Sequence, residues 1–160
     1  MTDDRISATR RIDAPAAAIF AIVSDPAGQV AIDGSHMLVS APDARRLEAV
    51  GDSFVMDMDR EALGDLPLGT YSVRNTVTQF TPDRLIEWNV GSIDRGPIGH
   101  VYGYELVPLD DGATEVTSYC DWSAISDAVR ARVTRWPIVP KMALIGTLEK
   151  LDRLVTDGSI

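Results

Sequence analysis

A single cysteine, Cys120, leaves the chain no partner for an internal disulfide. That cysteine and the two histidines, His36 and His100, stand at no spacing that suits zinc, so no metal site is expected. Positive charge is scarce. Fifteen Lys and Arg face 24 Asp and Glu, for a net charge of -9 at pH 7. Phosphate-rich partners need the opposite balance, so nucleic acid is excluded as a partner. Neither a Gly-rich phosphate loop, a dinucleotide fingerprint nor a nucleophile motif occurs, and no cofactor is expected. No apolar run reaches the roughly 20 residues of a membrane span, which argues against stable membrane insertion. The first residues, Met1-Thr2-Asp3-Asp4-Arg5, carry acids where a secretory leader would carry a basic region and an apolar run. A cytoplasmic protein is the expectation. No repeat, low-complexity tract or linker divides the 160 residues, which predicts one domain over 1–160.

What is present is ordinary in bulk, with 45% apolar and 24% charged residues, and informative in pattern. Over residues 139–155, Leu144, Leu148, Leu151 and Val155 recur at three- and four-residue steps, which predicts a helix. Met142, Ile145 and Leu154 widen its apolar stripe, so burial on more than one side is expected. Pro140 suits the first turn and Gly158 the stop. Near the N-terminus a short strand over residues 6–12 is followed by Asp13-Ala14-Pro15, read as a helix entry with Asp13 as cap. Ile19, Phe20 and Val23 form the buried side of that helix. Asp25-Pro26 breaks it, and a second short helix runs over residues 26–32 to the turn at Asp33-Gly34-Ser35.

Six strands are predicted next, over residues 45–50, 53–59, 70–80, 84–92, 100–108 and 113–122. Asp-Gly within Leu109-Asp110-Asp111-Gly112 is a hairpin turn, because it tolerates the positive φ that tight hairpins require. Thr81-Pro82-Asp83 is another turn, and residues 61–69 form a longer loop. Period-two alternation assigns faces. Phe54, Met56 and Met58 point inward against Asp57. Tyr71, Val73, Asn75 and Val77 point inward against Arg74 and Thr76. Ile86, Trp88 and Val90 oppose Glu87, which points out. His100, Tyr102, Tyr104 and Leu106 share a face, as do Val116, Ser118, Cys120 and Trp122. A sheet packed flat on a helix favours Val, Ile and Leu. This inward set adds Asn75, His100, two tyrosines, Ser118 and Cys120, the mixture a ligand cavity needs. Strands followed by one long apolar helix make the fold α+β.

The order is strand, two short helices, six strands and a long helix. Together with Ile12-Asp13-Ala14-Pro15 leading into residues 19–26 and the hairpin over residues 103–117, it resembles the START-like (SRPBCC) superfamily. Within it, the chain is most similar to the polyketide cyclase/dehydrase and lipid-transport group. The resemblance implies a helix-grip fold, in which a seven-stranded curved antiparallel sheet closes around the C-terminal helix and two short helices follow strand 1. It also implies a deep hydrophobic cavity between sheet and helix.

The expected ligand-binding residues are Phe54, Met56, Met58, Tyr71, Asn75, Trp88, Tyr102, Tyr104, Ser118, Cys120, Trp122, Met142 and Ile145. Trp136 is expected to stand apart from them. The polar residues also have plainer roles. His100 is a general base or a strand-end histidine bonded to backbone. Tyr102 and Tyr104 orient a ligand carbonyl or fill core. Cys120 is read as a small buried hydrophobe, and His36, Asp33, Glu48, Asp57 and Glu61 as surface. Three functions stay open. One is a carrier or sensor for a small hydrophobic molecule such as a lipid, polyketide or quinone-like ring. The second is an aromatase/cyclase or dehydratase using His100 with a tyrosine. The third is an interaction module, in its simplest form a homodimer, that contacts a partner through its acidic surface or the 61–69 loop.

Overall fold

A computed structural model describes residues 3–43, 45–64 and 68–158. The elements run β1 (Arg5–Ile12), α1 (Ala16–Val23), α2 (Pro26–Ile32), β2 (Leu38–Ser40), β3 (Ser53–Asp59), β4 (Thr70–Thr81), β5 (Leu85–Ser92), β6 (Gly96–Pro108), β7 (Thr114–Asp121), α3 (Asp127–Arg132) and α4 (Lys141–Asp157). The strands form one antiparallel sheet in the order β1-β7-β6-β5-β4-β3-β2, with α4 packed mainly on β1 and β7 and on α1 and α2. The fold is the expected α+β helix grip.

Beside the register shift between Leu38 and Ser40 of β2, two bulges in the long strands curl the sheet. One lies between Val77 and Gln79 of β4, the other opposite Asn89 to Gly91 of β5. Each inserts unpaired residues and bends its strand. The β6–β7 hairpin closes as the Asp-Gly pattern predicts, with Gly112 at φ 85° and the Leu109 amide donating to the Ala113 carbonyl at 2.8 Å. Asp83, at φ 62°, closes the β4–β5 turn.

Five expectations need correction. Residues 45–50 are not a strand. The Leu47 amide donates to the Ser24 carbonyl, and the Asp52 carboxylate accepts from the Glu48 and Ala49 amides. These bonds satisfy the backbone without a neighbouring strand, and Leu47 alone plugs into the core. The seventh strand is instead β2, three residues long, paired through Leu38 with Met58. Asp13 caps nothing; Pro15 itself holds the cap position of α1, and the Asp13 carboxylate accepts from Arg11 at 3.2 Å. Pro140 likewise sits at the cap of α4 rather than within its first turn. Met142 is 72% exposed, because the buried stripe of α4 follows Ala143, Leu144, Thr147, Leu148 and Leu151, and Met142 projects from the other side. Of the expected 61–69 loop, Arg60–Leu63 forms a 3-10 turn and residues 65–67 lie outside the described residues.

Glu87 points away from the helix as expected, yet it is buried. The Tyr119 ring crosses the outer face where Gly103 leaves room for it, and its hydroxyl donates to Glu87 at 2.8 Å. Thr78 and Gln79 donate to the other carboxylate oxygen at 2.6 and 3.0 Å, so the burial is compensated.

The seat of α4 is a close backbone-to-backbone contact. A Cβ on Gly34 would lie 2.4 Å from the Ala143 carbonyl oxygen and 2.6 Å from the Thr147 amide nitrogen. The Gly34 amide donates to Thr147 Oγ1 at 2.9 Å, and Lys150 donates to the Asp33 carbonyl at 3.0 Å. Across the contact, a Cβ on Gly146 would meet Gly34 only at 3.6 Å, ordinary van der Waals distance. Gly34→Ala is therefore expected to cost about 2–3 kcal/mol by forcing loop and helix apart. Gly146→Ala should be neutral or stabilising by up to about 1 kcal/mol, as alanine is in a helix interior. Urea unfolding of the two variants measures the contrast.

Candidate functional site

Because α4 rests on the β1–β7 side, the concave face of β3 to β6 is only partly covered. A cavity of about 140 Å³ lies there. Its floor is Met56 and Met58 of β3, Tyr71, Val73 and Asn75 of β4, Trp88 and Val90 of β5, His100, Tyr102, Gly103 and Tyr104 of β6, and Ser118 of β7. Leu144 and Thr147 of α4 roof it, with Ile138 and Val139 from the segment before the helix. Gln29 and the loop of Asp33, Ser35, Met37 and Leu38 close one side. The half-buried members, including Leu38, Met58, Tyr71, Ile138 and Val139, mark its mouth.

Of the residues expected to bind ligand, eight line this cavity: Met56, Met58, Tyr71, Asn75, Trp88, Tyr102, Tyr104 and Ser118. Five do not. Phe54 packs edge-on behind Trp88, with centroids 6.1 Å apart. Cys120 and Trp122 belong to a separate cluster with Ile125, beyond the end of the cavity. Met142 faces outward, and Ile145 packs at the margin of the core. Trp136 does not stand apart: it stacks on Trp122 at 6.2 Å and lies edge-on to His100 at 5.0 Å. Asp33 is no simple surface carboxylate. It accepts from the Ser35 amide and hydroxyl and from the Leu38 amide at 2.7 to 2.9 Å, and so shapes the loop that lines the cavity. Sequence reading placed a turn there but not its part in lining the cavity. Its signal was Asp33-Gly34-Ser35 itself, where an Asx turn folds the chain back on its own side chain. His36 is exposed, as expected.

His100 reaches the cavity through the β6 bulge, where Gly99 adopts φ 118°. Among the described residues its Nδ1 has no hydrogen-bond partner, backbone included. The ring is 5% exposed and lies edge-on to Tyr102 at 5.7 Å and to Trp136. Burial pulls its pKa down from 6.5 to about 4, so the imidazole is neutral at neutral pH. Burial raises the Tyr102 and Tyr104 phenols, keeping both protonated. The Tyr102 hydroxyl meets the Cys120 thiol, which burial pushes up to about 12, far from a reactive thiolate. Two buried polar atoms on the cavity wall, Asn75 Oδ1 and His100 Nδ1, have no hydrogen-bond partner among the described residues. Among those residues no cluster of His, Cys, Asp and Glu gathers to hold a metal, and no helix is long and apolar enough to cross a membrane.

Known proteins share this architecture. CV1439 from Chromobacterium violaceum superposes with a TM-score of 0.65 at 18% identity, covering 95% of this chain and 96% of that one. Ms6760 from Mycobacterium smegmatis does so at 0.62 and 17%, covering 96% and 91%. At such identities the likeness is one of fold. A Mycobacterium tuberculosis protein named "Uncharacterized protein Rv0088" is 32% identical over 120 residues, 75% of this chain and 48% of its own length. The chain thus spans about half the length of the curated relatives it matches. The family described as polyketide cyclase / dehydrase and lipid transport matches over residues 3–156. With nearly its whole length matched and the helix-grip sheet to go with it, the chain belongs to the polyketide cyclase/dehydrase and lipid transport family.

Proposed function

We propose that this protein binds a small, mainly apolar molecule between the sheet and α4, as a carrier or sensor. The observation that carries this reading is the cavity itself. Met37, Met56, Val73, Trp88 and Leu144 give it apolar walls, and partly exposed side chains give it a mouth. Three of the lining residues are methionines, whose flexible thioethers adapt to differently shaped guests. The volume restricts the guest. About 140 Å³ is close to the roughly 150 Å³ of an apolar cavity that takes benzene, and below the roughly 300 Å³ where drug-sized sites begin. A single ring or a short chain suits it better than a multi-ring polyketide or a long acyl chain.

A cyclase or dehydratase reading has one observation in its favour, the placement of His100 on the cavity wall. Its basicity counts against it. A conjugate acid near pKa 4 makes the imidazole a weaker base than free histidine, and abstraction beside a carbonyl slows accordingly. Tyr102 and Tyr104, their phenol pKa values raised, are weaker acids than free tyrosine. The same surroundings suit a neutral binding site.

The binding reading is tested by thermal shift and tryptophan fluorescence with toluene, naphthalene and 1-hexanol. A ligand at 100 times its Kd should stabilise by about 2.7 kcal/mol. That corresponds to a rise in Tm of roughly 5–10 °C for a chain of this size. Trp88 emission should change with it, and Val73→Trp should abolish the response by filling the cavity. No shift with any probe at millimolar concentration refutes the reading.

The neutral burial of His100 also predicts a pH dependence. Unfolded, His100 takes up a proton as pH falls through 6.5; folded, it does so only near 4. Its contribution is intact above pH 6.5 and is lost as pH falls toward 4, by roughly 3 kcal/mol in all. Urea unfolding at pH 7.5 and 4.5 should show a clearly smaller drop for His100→Gln than for the wild type. Equal drops would mean that His100 titrates as it does in the unfolded chain.

A further inference from the structure

Asn75 and His100 are each 5% exposed, and both line the cavity. Asn75 stands on β4 opposite Val90 of β5, and His100 stands on the β6 bulge that flanks the same Val90. Two polar side chains therefore sit on strands either side of β5, facing one space. Asn75 Oδ1 is an acceptor without a donor, and His100 Nδ1 is likewise unpartnered among the described residues. Leaving such atoms bare in an apolar setting is costly, which is why buried polar groups are almost always paired. Water can meet these atoms in the free protein, but a guest that displaces the water must reproduce its bonds or lose affinity.

Charge narrows the choice further. Among the described residues no lysine or arginine lines the cavity; the buried Arg60 lies outside the lining, though near enough to act on the Tyr102 phenol. The one charged group on the wall is the Asp33 carboxylate. An anionic guest would give up its hydration and meet a like charge. A neutral hydroxyl has neither problem. It donates its one proton to Asn75 Oδ1 and accepts from His100 in the tautomer that carries the hydrogen on Nδ1.

Resting on the reading of this cavity as a ligand site, we infer that its ligand is a neutral, hydroxyl-bearing single ring of the phenol class. The hydroxyl is held by Asn75 with His100, and the ring lies among Trp88, Val73 and Leu144. The inference concerns sign as well as size. A purely apolar cavity would favour toluene over 4-methylphenol, because the phenol has a hydroxyl to desolvate. This one should reverse that order.

The test measures the affinities of toluene, 4-methylphenol and 4-methylbenzoate by calorimetry and thermal shift at pH 7.5. The expected result is 4-methylphenol at least tenfold tighter than toluene, with 4-methylbenzoate the weakest. In Asn75→Leu the preference should fall to parity or invert, while the free variant melts at or above the wild-type temperature, because an unpartnered amide has been replaced by a hydrocarbon of similar size. His100→Phe should narrow the preference as well, and it serves as the second variant should Asn75→Leu not fold. Toluene binding as tightly as 4-methylphenol in the wild type overturns the inference while leaving the cavity a ligand site. An unchanged preference in folded Asn75→Leu overturns it too. If none of the three compounds binds, the reading of the cavity as a ligand site fails, and this inference with it.

Discussion

The approach of Gly34 to the backbone of α4 fixes where the helix can lie. A side chain at that point would collide with the Ala143 carbonyl and the Thr147 amide, so the 33–35 loop and the helix meet backbone to backbone. Thr147 and Lys150 bond the contact from the helix side, through the Gly34 amide and the Asp33 carbonyl. Farther along α4, Leu148 and Leu151 join Ile12, Ile19 and Val23 in the core, and Arg10 pairs with Asp152 at 2.8 Å. The helix is thus held at two places on one side of the molecule. The opposite half of the concave sheet, β3 to β6, is left with a roof that only partly fills it, and the cavity follows from that geometry.

The lining then carries a conflict between stability and use. Close packing favours matched hydrocarbon across the gap between sheet and helix. Asn75 and His100 depart from it on the cavity wall. By contrast, the outer face pairs its buried charge fully: Glu87 accepts from Tyr119, Thr78 and Gln79. The outer face thus satisfies its buried charge, while Asn75 Oδ1 and His100 Nδ1 on the cavity wall, like Asp4 Oδ1 just before β1, have no partner among the described residues.

Much of this fold was legible from residue order, because alternation and helical period are strong signals over long elements. β3 spans the residues its pattern assigned, and the inward faces of β3, β4, β5 and β6 hold in register. Short-range competition defeated the rest. Residues 45–50 carry a strand-like composition, but the Asp52 carboxylate and the Ser24 carbonyl take their amides. β2 is too short for any period to register. Facing inward is also not the same as lining the cavity. Cys120 and Trp122 have the right face but lie past the end of the cavity, in a cluster closed by Trp136 and Ile125. Ala143, Leu144, Thr147, Leu148 and Leu151 turn toward the protein, while Met142, an apolar residue in the same helix, turns to solvent. Alternation gives direction, and only tertiary packing gives depth.

His100 shows how a small backbone irregularity governs chemistry. In a regular ladder it would sit opposite a β5 residue at the strand entrance. The bulge, with Gly99 in a conformation that side chains avoid, instead carries the imidazole into the space behind Trp136. That placement gives it both of its electrostatic properties. Burial drives the pKa down, and Nδ1 has no hydrogen-bond partner among the described residues. A catalytic histidine is normally buried with a charged partner that restores its basicity. This one packs against Tyr102 and Trp136, neither of which supplies a charge. The ring is therefore a weaker base than free histidine, and its neutral form is the one the fold accommodates.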